Sequence, residues 1–154
     1  MDWIQAHLLL NHVPVIGTWI GAFVLVYGLV TRKEETRRVA LGILALVALS
    51  AVPAFFSGAQ AEDRAESLPG VSSAEVSEHE SAADFALAGC MVLGVVAIAA
   101  LVASRRRPAV PTAWLAVVLG LALLCSAILA RTAHLGGMIR HPEIRGGSSE
   151  SLPS

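Results

Sequence analysis

Four apolar runs, each close to the thickness of a lipid bilayer, leave this chain few ways to fold. A helix needs about 20 mostly apolar residues to cross the hydrocarbon. Residues 8–30, 39–56, 85–103 and 113–130 meet or approach that length, and each is bounded by charge or by Pro/Gly punctuation. Only helices and closed barrels satisfy the backbone in lipid, and none of these runs alternates as a barrel strand does. The expected fold is all-α: a four-transmembrane-helix bundle over residues 1–145, followed by a disordered polar tail at 146–154. Composition points the same way. The 154 residues are 55% hydrophobic and 15% charged, with mean hydropathy +0.68, whereas soluble domains carry about 25% charge. A net charge of −1 offers no basic surface to a nucleic acid. Met1-Asp2-Trp3 has no basic leader and no small-residue cleavage site follows, so the first run is expected to stay in the mature protein.

Lys and Arg set the expected direction of the spans. The loop after the first run holds Arg32, Lys33, Arg37 and Arg38, and the loop after the third holds Arg105, Arg106 and Arg107. These two short loops carry seven of the eleven basic residues and are expected to be cytoplasmic. Both termini and the 57–84 loop then lie on the other side, with ten of the twelve acidic residues. All five histidines, His7, His12, His79, His134 and His141, fall on that same side.

The long outer loop is expected to be partly helical. Residues 59–66 have helix-forming composition, Leu68-Pro69-Gly70 is a turn signal, and Ser72-x-x-Glu75 is a capping box opening a helix that nothing interrupts before 103. Pro53 predicts a kink in the second helix by freeing the Leu49 carbonyl. Gly136-Gly137 reads as the C-terminal cap of the fourth helix, with 138–144 as a short segment folding back over the bundle. No internal repeat is visible. Cys90 and Cys125 stand alone in apolar runs, outside any CxxC or CxxCH, and read as small packing residues.

Ionisable groups inside a membrane are costly and usually functional. His12, beside Asn11, and His134, beside Arg131 and Thr132, are the most embedded. Imidazole nitrogens ligate haem iron, and a histidine pair from facing helices can clamp a b-type haem. Histidine with carboxylate also suits zinc, copper or non-haem iron. The spacing does not choose between these chemistries. No HExxH is present, and His7 and His12 are five apart, so they diverge around a helix. A hydrolase is unsupported, since no serine sits in a nucleophile elbow. Transport is disfavoured because the middle and inner halves of the helices are almost wholly apolar.

The segment His7-Leu-Leu-Leu-Asn11-His12-Val-Pro14 resembles the His-x4-His-x-Pro opening of a domain-of-unknown-function family of bacterial four-helix membrane proteins. Ser57-Gly58 after the second helix, His79 before the third, and Gly136-Gly137 then His141 after the fourth follow that family's order. The likeness covers about residues 5–145. It departs at the opening, where the family's first histidine usually precedes proline and here precedes Leu8. Some members are fused to Rieske or c-type cytochrome domains. The resemblance therefore implies a bacterial inner-membrane protein with respiratory or cytochrome partners.

The expectation is a membrane electron-transfer protein rather than a stand-alone enzyme, binding b-type haem at the outer end of the bundle. His12 and His134 are the expected axial ligands, with His79 in reserve and Glu62, Glu80 and His141 around them. The alternatives are a non-haem metal protein drawing on His7, His12, His79, His134, His141, Glu62 and Glu80, or a cofactor-free subunit of a respiratory complex. The lipid bilayer is the expected environment, and a homo-oligomer is compatible with the sequence.

Overall fold

In the computed structural model, which describes residues 2–67 and 71–140, the chain is helical almost throughout. Five helices follow in order: α1 (Trp3–Leu10), α2 (His12–Val30), α3 (Glu34–Glu66), α4 (Ser73–Ser104) and α5 (Thr112–Arg140). Helices α1 and α2 act as one rod interrupted at Asn11. The break has a local cause: Pro14 has no N–H to return to Leu10, so the ladder lapses where the second helix begins. Among the described residues, four segments are long and apolar enough to cross a membrane. At 1.5 Å per residue, the 33 residues of α3 reach well beyond a hydrocarbon layer about 30 Å thick. Its C-terminal end therefore projects past the apolar stretch, as does the 73–84 part of α4.

The rods form an up-down-up-down ring. Helix α3 packs on both α2 and α4, and α5 packs on both α4 and α2. The first rod and α4 stand across one diagonal. The core is small and mostly apolar: Leu25, Leu41, Leu44, Leu93, Leu115 and Val118 are fully buried, with alanines between them. Alanine at these positions lets the helices approach closely, which is what drives association where lipid is as apolar as the core. Large apolar side chains point outward instead, among them Phe23, Leu46, Phe85 and Val95. On a water-facing protein such a coat would be an anomaly; against lipid it is the required surface.

One end of the bundle is tied by charge. Glu34 accepts the Val110 N–H at 2.8 Å and pairs with Arg38 at 2.9 Å. Arg38 in turn donates to the Ser104 and Arg107 carbonyls. This clasp joins the two basic loops.

At the other end α3 continues as helix through Pro53 to Glu66, taking in the 59–66 stretch whose composition favours helix. The structure differs from expectation at the end of α5. Helix α5 runs through Gly136 and Gly137 to Arg140, so the glycine pair is not a cap. The reason for Gly136 lies in a side chain on α4, described below. The capping box that opens α4 is present, with Ser72 accepting from the Glu75 N–H and Glu75 from the Ser72 N–H. The turn at 68–70, the fold-back beyond 140 and the 146–154 tail lie outside the described residues.

Candidate functional site: a histidine pair across the bundle

His7 on α1 and His79 on α4 meet across the diagonal, their ring centroids 6.3 Å apart and their planes nearly perpendicular at 84°. Both rings are half-buried and line one cavity at the non-clasped end of the bundle. Its walls are mostly small and apolar, with Ala51, Ala54, Ala83 and Ala86 among them. The cavity has about 70 Å³ of free interior, within about 510 Å³ of empty space that includes its mouth.

Each ring is held the same way. His7 Nδ1 donates to the Ala54 carbonyl of α3 at 2.9 Å, with the Ser57 hydroxyl oxygen at 3.3 Å. His79 Nδ1 donates to the Thr132 carbonyl of α5 at 3.0 Å. A carbonyl only accepts, so both Nδ1 atoms carry the proton. In a neutral ring the lone pair then sits on Nε2, and neither Nε2 has a hydrogen-bond partner among the described residues. Fixing one nitrogen on a backbone carbonyl is how proteins orient a histidine whose other nitrogen ligates a metal. A glycine lies one helical turn beyond each carbonyl. A Cβ on Gly58 would come 3.0 Å from His7 Cε1, and one on Gly136 would come 3.0 Å from His79 Cε1. Gly136 is therefore inside α5 because the His79 ring occupies the space a side chain would fill. Thr132 adds a tie between helices, its hydroxyl shared between the Ala82 carbonyl of α4 and the Ile128 carbonyl of its own helix.

The other residues singled out from sequence lie elsewhere. His12 is exposed, its Nδ1 donating to the Leu8 carbonyl one turn back. His134 is exposed on α5. These two do not meet; the reserve residue, His79, and His7 do. Glu62 and Glu80 come together outside the cavity, hydrogen-bonded to each other between the projecting ends of α3 and α4. That contact, with Asp84 and Glu66 near, pushes the Glu80 carboxyl up to about 7. Arg131 pairs with Glu78 at 3.5 Å on the surface. His141 lies outside the described residues. Among the described residues no three His, Cys, Asp or Glu side chains gather as a metal cage. Cys90 and Cys125 are both free and buried.

The donor set suits a group that brings most of its own ligands. Two imidazoles without a third protein donor do not fill the tetrahedral shell of a structural zinc. They do match the two axial positions of a haem, whose ring supplies the other four nitrogens. Sequence reasoning noticed Ser57-Gly58 and Gly136-Gly137 as motifs but not their role. A glycine in an apolar helix, at the same depth as a histidine on a neighbouring helix, was the available signal. No family model, no curated protein and no solved structure matches this chain.

Proposed function

We propose that the protein is a membrane electron carrier that binds b-type haem between His7 and His79, with this end of the bundle facing away from the cytoplasm. The observation that carries the reading is the paired geometry: two rings 6.3 Å apart, each with Nδ1 spent on a carbonyl. Metal–nitrogen bonds of about 2 Å from opposite sides would put two imidazole centroids roughly 6 Å apart. The cavity walls are mostly alanine, so a flat ring would meet few bulky side chains there, and the helices would have to part to admit it to an interior of about 70 Å³. Bound haem would supply one-electron chemistry. His7 and His79 would hold it, and Ala54, Thr132, Gly58 and Gly136 would keep their rings in place. Partners would be proteins that exchange electrons at the outer surface.

The test is the absorption spectrum of the detergent-purified protein, expressed with haem supplied. A Soret band is expected. It should be lost in His7→Ala and in His79→Ala, and kept in His12→Ala and His134→Ala. A wild type without the band overturns the haem reading. One observation favours a second: the free interior is small enough for a bare metal ion held in line by the same two nitrogens. Two nitrogens in line suit copper(I), and elemental analysis of the same sample would reveal one equivalent of copper without porphyrin.

A further inference from the structure

The cavity is built from two matching halves. His7, Asn11, Pro14 and Val15 line it from the first rod, and the residues 72 positions later line it from α4. Ala51, Ala54 and Phe55 line it from α3, and the residues 78 positions later line it from α5. The contacts repeat as well as the register. The Nδ1–carbonyl bonds are 2.9 and 3.0 Å, and the ring-to-glycine approaches are equal. Deeper in the bundle Gly17 faces Val47, and Gly89 faces Cys125, at the same two offsets. The first rod and α4 run in the same direction, as do α3 and α5, so the relation is a two-fold rotation about the bundle axis.

We infer that the chain is two copies of one helical hairpin, and that Asn11, Phe55 and Leu129, where the cavity departs from that symmetry, decide which way round its occupant sits. Opposite them stand Ala83, Ala133 and Ala51. The amide and the aromatic ring belong to the first copy, and the leucine to the second. A pocket with equal halves offers a planar ligand two orientations of equal energy, related by the pocket's own axis. Only differences between the halves can separate them. The rim of b-type haem is nearly two-fold about an in-plane axis, and the order of its methyl and vinyl groups breaks that symmetry. Bulk at Phe55 and Leu129 therefore meets a different part of the rim in each orientation.

This inference rests on the haem reading. Its test is the proton NMR spectrum of the ferric, haem-loaded protein in detergent, where each orientation gives its own set of ring-methyl signals. The wild type should show unequal sets. Moving the bulk across the axis, in Phe55→Ala with Ala133→Phe, should change the ratio at least tenfold and make the other set the larger. Levelling it, in Phe55→Ala with Leu129→Ala, should bring the ratio within about twofold of one, an energy difference under about 0.4 kcal/mol. Asn11→Ala, the mildest change, should shift the ratio in the levelling direction and covers the case in which a double variant does not fold. A retained Soret band with an unchanged ratio in every folded variant overturns this inference alone. No Soret band in the wild type overturns it together with the haem reading.

Discussion

A methyl group added at Gly58 or Gly136 would crowd a histidine ring, which must give by a few tenths of an ångström. The ideal Cβ lies 3.0 Å from a histidine Cε1 in both cases, and that ring is fixed by its Nδ1 bond. Gly58→Ala and Gly136→Ala should each push the ring off its carbonyl and cost about 1–3 kcal/mol, the usual penalty for overpacking. Gly42 and Gly120 are the controls, since nothing lies within 4 Å of a Cβ at either. Alanine there should be neutral or stabilising by up to about 1 kcal/mol, the glycine-to-alanine gain in a helix. Thermal denaturation in detergent separates the two pairs, and equal melting temperatures for all four variants would refute the steric assignment. At this scale the sequence was only partly legible. Embedding in an apolar run pointed to His12 and His134. What brings a histidine to the centre of a bundle is the face it occupies, and that is set by neighbours far away in sequence. His7 lies on the same face as Asn11, Pro14 and Val15, all of which line the cavity, whereas His12 lies on the outer side of the rod. The glycine and carbonyl that hold each ring are some 50 positions away, on another helix.

Between helices, the projecting ends of α3 and α4 are joined by the carboxylate pair Glu62 and Glu80. Glu80 shares a hydrogen bond with Glu62, which holds its carboxyl up at about 7, against an ordinary value of 4.5. The folded protein thus keeps a proton that the unfolded chain releases between those limits. Stability must then fall as pH rises from about 4.5 to about 7, and stay at its lower level above that. Glu80→Gln can make the same hydrogen bond without titrating. Its melting temperature should exceed that of wild type at pH 8 and match it at pH 4.5. A difference independent of pH would show that the pair does not share a proton. Element existence was easy to read, because a run of about 20 apolar residues leaves no other solution in lipid. Element ends were harder. The capping box at Ser72 was legible because its chemistry is local. Gly136-Gly137 misled because glycine serves two purposes, ending a helix or admitting a neighbour, and only the His79 ring distinguishes them. The matching of the two halves was invisible to inspection because the small and large partners are redistributed: Gly21 faces Leu44, while their counterparts by the same offsets are Leu93 and Ala122.

For the whole molecule, the two ends of the bundle differ in charge, and that difference predicts how it should sit in a membrane. The end clasped by Glu34 and Arg38 gathers seven of the eleven basic residues in two short loops, and the histidine end carries most of the acidic ones. Insertion retains short basic loops in the cytoplasm. In the proposed orientation the cavity with His7 and His79 would open away from it. Single cysteines report this directly, because the native Cys90 and Cys125 are 0% and 2% exposed and will not compete for a polar reagent. Ser77 near the histidine end and Arg106 in the basic loop are both exposed. In right-side-out membrane vesicles a membrane-impermeant maleimide should label Ser77→Cys at once, and Arg106→Cys only after the vesicles are opened. The Arg106 change leaves six basic residues in the two loops, enough to preserve the bias. Labelling in the reverse order would invert the protein and place the histidine pair on the cytoplasmic side. Equal labelling of both positions would mean that the chain inserts both ways.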